Sequence, residues 1–300
     1  MNNYIEQFRS SMYQTGITPP EIFKTDGKID RFHIQGDKAG SKSGWYVMFT
    51  DNLPCGVFGS WKSGITIRWC IKKRSQMSYH EYEEFKKQIA NAQRQHNEER
   101  AKLQKAAAQL AEKIWGKCET VNPHHPYLIR KQIPPFYARQ SGTSLVLPII
   151  NFSGEFSSLQ FISESGSKRF LANGKISGNY IPIQKRPTSD TQIMIAESFS
   201  TAGSIARAYP NACVIAACHA SNLKPVAINF REHLPKSKMI ICGDDDRELP
   251  INIGLIKARE AAVAAKALFT KPEWPVGAPS SLTDFNDLAC WLSTMGQQDE

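Results

Sequence analysis

At 300 residues the chain can hold two domains and bury a sizeable core. Its formal charge of +9 and pI near 9.1 favour a polyanionic partner such as nucleic acid, a balance shared with ribosome-associated and membrane-surface proteins. No apolar run of about 18 residues occurs, which excludes a membrane-spanning helix as an expectation. Seven cysteines, at Cys55, Cys70, Cys118, Cys213, Cys218, Cys242 and Cys290, include no C-x-x-C pair. They read as reduced thiols, so neither a disulfide framework nor a zinc site is expected. The opening MNNYIEQFRSSMY is polar and lacks the apolar core of a signal peptide, so the expected location is cytoplasmic.

Residues 1–75 read as a small mixed module. A helix over 5–16 stops at Gly16 and the Pro19-Pro20 pair. Short β-like pieces follow at 31–34, 44–49, 55–58 and 65–70. Trp45, Tyr46, Phe49, Phe58, Trp61 and Trp69 interleave there with Lys38, Lys42, Lys62 and Arg68. Such a mixture suits stacking the bases of a single strand, and equally a small β core. Residues 76–117 predict one long charged helix, opened by a Ser78/Glu81 capping box. Tyr79, Tyr82, Phe85 and Ile89 form one apolar stripe; Leu103, Ala107, Leu110 and Ile114 form another. The polar middle, 91–100, gives the pattern of a bridge between two bodies.

Residues 118–190 predict β structure. LVLPII and SGEFSSLQFI pair about a turn near Ser153-Gly154. His124-His125 reads as a turn before Pro126 rather than a metal site. Arg130, Lys131, Lys168 and Arg169 supply four cations apt for phosphates. Residues 191–300 alternate short apolar runs, at 193–196, 213–217 and 239–242, with helical segments. This predicts an α/β domain whose strands are buried on both faces of a parallel sheet. Ligands then sit beyond the strands' carboxyl ends. Glu197 ends the first run, and Asp244, Asp245 and Asp246 end the third. Clustered hard oxygens suit Mg²⁺ or Mn²⁺ rather than zinc. Asn222 and His219 share that rim, Lys257 lies one turn into the helix after Gly254, and Asp284 and Asp287 start the last helix.

A Glu after a strand, a small-residue helix and a D-x-D after a later strand resemble the Toprim domain. The blocks IAESFSTAGSI, A-x-NL at 220–223, DDD, N-x-G-x-x-KA at 252–258 and TDFNDL at 283–288 resemble, in order and spacing, the primases of phages, plasmids and other mobile elements. Ser198 stands where that family usually has Gly. HPYLIRK resembles the YL-x-x-RG block of DnaG-type primases, and GSKRFL their basic phosphate-holding motif. GWY and GxFGxW in the N-terminal module resemble the zinc-less N-terminal block of mobile-element primases.

The resemblance implies a Toprim (Rossmann-like) parallel-sheet domain preceded by β-rich regions and a long helix. It implies a DNA primase that makes short RNA primers on single-stranded DNA from ribonucleoside triphosphates. Glu197, Asp244 and Asp246, with Asp245, are the expected metal and catalytic residues, and Asp284 and Asp287 the supporting carboxylates. Arg130, Lys131, Lys168, Arg169, Asn222 and Lys257 are the expected phosphate ligands. With no P-loop pattern present, any replicative helicase would be a separate partner. The alternatives are a Toprim-type metal-dependent nuclease and a non-catalytic single-strand-binding accessory.

Overall fold

In a computed structural model of the protein, residues 3–296 are described, and the chain divides into two compact units, 1–102 and 103–300. In the first unit, helix α1 (Asn3–Gln14) is followed by strands β1 (Asp30–Phe32), β2 (Gly44–Phe49), β3 (Cys55–Ser60) and β4 (Thr66–Cys70). They form an antiparallel meander in the order β1-β2-β3-β4. Period-two alternation sends Tyr46, Met48 and Phe58 to one face, against Phe8 and Met12 of α1. It sends Trp45, Val47 and Val57 to the other face, against Ile89 and Ala92.

The aromatic residues interleaved with these cations therefore pack in or against the core, Phe49, Trp61 and Trp69 being partly buried. Trp45, Tyr46 and Phe58 are fully buried, and Phe8 meets Phe23, Phe58 and Trp69 edge-on. His96 lies between Trp45 and Trp61, at 4.1 and 4.2 Å between ring centres. The GxFGxW pattern follows from close packing. A Cβ on Gly59 would lie 2.0 Å from the Ile65 carbonyl oxygen, and one on Gly56 would lie 2.5 Å from that of Val47.

Helix α2 (Tyr79–Lys117) opens on the expected box. The Glu81 N–H donates to Ser78 Oγ at 3.2 Å, and the Ser78 N–H to Glu81 Oε2 at 2.8 Å. Its stripes differ from those predicted. Tyr79 and Leu110 are exposed, while Ile89, Ala92 and His96, then Ala107 and Ala111, are buried. The polar stretch 91–100 is not bare either. Gln95 accepts the Ile29 N–H at 3.0 Å and donates to the Gly27 carbonyl at 2.9 Å.

In the second unit, helix α3 (Pro126–Lys131) precedes β5 (Arg139–Ser141), β6 (Ser144–Ile150), β7 (Phe156–Ile162) and β8 (Lys168–Phe170), an antiparallel sheet in chain order. The other sheet holds β9 (Ile181–Gln184), β10 (Ile193–Ala196), β11 (Cys213–Ala216), β12 (Met239–Cys242) and β13 (Leu268–Thr270) in the order β13-β12-β10-β11-β9. β10 runs parallel to β11 and β12, β12 parallel to β13, and β9 antiparallel to β11. The parallel core matches the expectation; its two edges do not. β9 lies upstream of residue 191. β13 emerges from the tail of a segment read as helix, after Lys266 turns the chain at φ 48°.

Helices α4 (Phe199–Ala208), α5 (Leu223–His233), α6 (Ile253–Ala264) and α7 (Phe285–Gly296) complete the unit. Met194, Ala196, Val214, Ala216 and Cys242 face a core shared with Tyr127, Leu128, Leu145, Leu147 and α4. Ile193, Ile195, Ile215 and Ile241 face α5 and α6. Strands buried on both faces are continuously apolar, which is why these runs stand out in the sequence. Among the described residues no helix is long and apolar enough to cross a membrane.

Candidate active site

The register of the parallel strands places the carboxylates. Ala196 of β10 pairs with Cys242 of β12, so Glu197 and the Gly243-Asp244 turn leave neighbouring strands at one level. Ser198 caps α4, accepting the Thr201 N–H at 3.3 Å. Its backbone, at φ −113° and ψ 162°, is ordinary for any L-residue, so Ser in place of the family's Gly brings no strain and adds a cap. Asn252 caps α6 by accepting the Leu255 N–H at 3.1 Å. Gly254 brings that helix end onto the acidic turn: a Cβ there would lie 3.2 Å from the Asp244 carbonyl oxygen and 3.4 Å from Asp246 Oδ2.

Asp284 arrives from the far end of the unit. It caps α7 through the N–H groups of Asn286 and Asp287, at 2.7 and 2.8 Å. It also accepts from Thr201 Oγ1 of α4 at 3.1 Å. Asn286 fastens the same junction, donating to Ser204 Oγ at 2.9 Å and to the Lys131 carbonyl at 2.6 Å. The sequence placed Asp284 at the margin; packing of α7 on α4 puts it within the electrostatic reach of Glu197 and Asp244.

The resulting field is strongly negative. Burial raises the Glu197 carboxyl; Asp246 and Asp284 raise it further, while Lys168 and the Ala220 N–H oppose them. Burial, then Glu197, Asp284 and Asp246, push Asp244 to about 9, against the charge of Lys168. Asp284 is raised by burial and Asp287. Asp244 Oδ1 is buried without a hydrogen-bond partner. An orphaned carboxylate oxygen among other carboxylates, with hard donors only, fits a divalent cation. Among the described residues no group of three His, Cys, Asp or Glu side chains stands ready to hold one ion. The carboxylates share a field rather than a finished coordination sphere.

Several predicted site residues lie elsewhere or are already engaged. Asp245, expected beside the metal, turns away: it accepts from Asn252 Nδ2 at 2.8 Å, Lys271 Nζ at 2.8 Å and Trp274 Nε1 at 3.1 Å. Burial opposes ionisation there, but the Lys271 and Trp274 hydrogen bonds outweigh it and hold the carboxyl below its ordinary value. Asn222, expected at phosphate, is 1% exposed. It donates to the Ala217, Asn179 and Ile176 carbonyls and accepts the Gly178 N–H, leaving no amide proton for a phosphate. Lys257 pairs on the helix surface with Glu260 at 2.9 Å.

Lys131 pairs with Asp287 at 3.2 Å, a countercharge to the α7 carboxylates rather than a free cation. Arg130 donates to the Glu164 carbonyl at 3.0 Å from an exposed position. Lys168 and Arg169 part company. Lys168 pairs across the ladder with Ile162, whose side chain faces the core shared with the parallel sheet. Arg169 pairs with Phe161 on the opposite face and lies over its ring at 4.1 Å. His125 is a cap, its Nδ1 accepting the Tyr127 N–H at 3.2 Å.

Sequence reasoning missed Lys271 and Trp274, which lie in a loop without a motif. It also missed Tyr127, whose buried hydroxyl lies beside Ser200 and near Asp284. The YLIRK block was the one signal that could have marked Tyr127.

Residues 192–293 match the Toprim domain family, whose members generally bind divalent metals. Over 269 residues the chain is 31% identical to DNA primase TraC of Escherichia coli, covering 88% of this chain and 18% of that protein. A second E. coli protein of the same name is 29% identical over 264 residues, covering 85% of this chain and 24% of the relative. The chain thus spans a quarter or less of the length of these relatives. Among solved structures, the primase fragment of the bacteriophage T7 primase-helicase protein aligns at a TM-score of 0.42 and 12% identity, covering 61% of this chain and 74% of that one. The DnaG catalytic core aligns at 0.39 and 12%, covering 64% and 79%.

Proposed function

Because residues 192–293 are a Toprim domain and most of the chain is homologous to a segment of DNA primase TraC, we propose that this protein synthesises primers on single-stranded DNA. A 3′-hydroxyl, giving up its proton to solvent, attacks the α-phosphate of an incoming ribonucleoside triphosphate. The new P–O bond forms as the α–β bond breaks, and pyrophosphate leaves. Glu197, Asp244 and Asp246 would hold the divalent cation, Mg²⁺ or Mn²⁺. A cation held there would supply positive charge against the attacking and leaving oxygens.

The chain's own residues do the rest. Burial and the neighbouring carboxylates raise the Glu197 carboxyl, and positive charge arriving beside it would favour the ionised form. Lys168, the cation facing Glu197 and Asp244, holds nucleotide phosphate at the mouth of the cluster. Asp284 adds negative field and keeps α7 against α4. Asp245 fixes the turn that carries Asp244 and Asp246.

The observation that carries this reading is Asp244: a carboxylate pushed to about 9, with one oxygen buried and unpartnered, at a strand end beside Glu197. The test is incubation with circular single-stranded DNA, labelled ribonucleotides and Mg²⁺ or Mn²⁺. Short labelled RNA is expected, and it should vanish in Asp244→Asn and Asp246→Asn. Strand cleavage without incorporation under every metal tried would replace primer synthesis with nuclease action. Binding without either reaction would leave a non-catalytic accessory.

A further inference from the structure

We propose that a second site, along the β9 edge of the five-stranded sheet, binds a nucleoside phosphate: the base against aromatic walls, the phosphate on Lys185 and Arg186. The site is a cavity of about 410 Å³, within the range of small-molecule pockets. Trp115, Tyr137, Phe152 and Phe156 line it, together with Lys185 and Arg186. No carboxylate lines it among the described residues.

The topology separates its basic end from the carboxylate cluster. β9 runs antiparallel to β11, with Ile181 opposite Ala216 and Gln184 opposite Val214. Lys185 therefore leaves β9 at the amino end of β11, where its carbonyl accepts from Cys213 Sγ at 3.6 Å. Glu197 follows the carboxyl end of β10, a four-residue strand and so roughly 13 Å away along the strand direction.

The surroundings are built for this charge. Lys185 turns the chain in the left-handed region, at φ 54°. Gln184 braces that turn by donating to the Tyr209 and Ala212 carbonyls, at 2.8 and 3.1 Å. The Lys185 ammonium meets the neutral amide oxygen of Asn211 at 3.2 Å, which leaves its charge uncancelled. Behind the wall, Arg139 lies over the Trp115 ring at 4.9 Å and donates to the Trp115 carbonyl at 2.8 Å, which fixes that ring.

An apolar ligand would leave those cations unused, and a simple anion would leave the rings unused. A nucleotide uses both: every base has a π-face to stack, and its phosphate answers the basic edge. The site is independent of primer synthesis, because nothing in it touches the carboxylates.

Ultraviolet cross-linking of the full chain tests it, with a short oligothymidylate carrying 5-iodouracil and, in parallel, with 5-iodo-deoxyuridine monophosphate. Adducts are expected on peptides containing Trp115, Tyr137 or Phe152. An adduct with the oligonucleotide alone assigns the site to a bound strand; an adduct with both probes assigns it to free nucleotide as well. Lys185→Glu with Arg186→Glu should weaken the responding probe roughly tenfold or more at low salt. Tyr137→Ala, at a half-exposed ring, should reduce the adduct while leaving thermal unfolding unchanged. Adducts confined to other peptides with both probes, or unaltered affinity in the double variant, would overturn the proposal. Neither outcome bears on whether the carboxylates support synthesis.

Discussion

Asp244 illustrates how far a single side chain can be pushed by its neighbours. Its ordinary value is 3.8, and burial with three nearby carboxylates raises it to about 9. The sign follows from linkage: a group raised on folding contributes stability below its ordinary value and loses it as pH climbs towards the folded one. Between about 4 and about 9 this residue therefore weakens the fold progressively. Asp244→Asn should raise the melting temperature at neutral pH, by roughly 2–4 °C for each kcal/mol relieved. Mg²⁺ or Mn²⁺ should raise the wild-type melting temperature, and much less that of the variant. Scanning calorimetry with and without the metal checks both; a variant that melts lower at pH 7 contradicts the assignment. Lys168 and Arg169 form a second residue-scale contrast. Lys168→Ala removes the cation facing Glu197 and Asp244, and should cost roughly tenfold to a hundredfold in primer synthesis. Arg169→Ala acts on the opposite face and should cost far less. Equal losses in steady-state assays would mean that both cations reach phosphate.

At the scale of elements, the acidic turn after β12 is held by the segment after β13. Asp245 is nearly enclosed and takes three hydrogen bonds, from Lys271, Trp274 and Asn252. Asp245→Ala orphans those donors and should destabilise the unit by roughly 1–3 kcal/mol, less than a fully buried pair would, because Lys271 is 42% exposed and regains water. Neighbouring aspartates in one turn thus have opposite signs: loss of the charge at 244 stabilises, and loss of the side chain at 245 destabilises. Urea titration of both variants reads this directly. Asp245→Ala should also lower activity, by loosening the turn rather than by removing a ligand.

At the scale of the molecule, the chain has two units with separate cores, and helix α2 contributes to both. The first unit buries Trp45, Tyr46 and Phe58 and packs Trp61 and Trp69 against its cores, so it has little to stack on bases. A fragment ending at Lys102 should unfold cooperatively by itself. It should hold single-stranded DNA only through surface lysines and arginines, with affinity falling steeply as salt rises. Salt-resistant binding by that fragment, with quenching of tryptophan fluorescence, would show a base-stacking surface that the packing does not suggest.

The parallel sheet and the positions of its acids were legible in the sequence. Short runs of β-branched and small residues, buried on both faces, are local signals, and a carboxyl strand end is a place defined by the chain itself. Glu197 and the Asp244–Asp246 turn, the capping box at Ser78 and Glu81, and the cap at Asp284 could all be read this way. What surrounds them could not. Lys168, Glu197, Asp244 and Asp284 come from four separate elements, and packing alone brings their charges into one field. Strand register decided that Lys168 faces the acids while Arg169 does not. Spare hydrogen bonds decided that Asn222 and Asp245 are structural, because a polar side chain buried among backbone carbonyls and loop donors must satisfy them first. Such choices depend on where other parts of the chain lie in space, and no local pattern of residues records that.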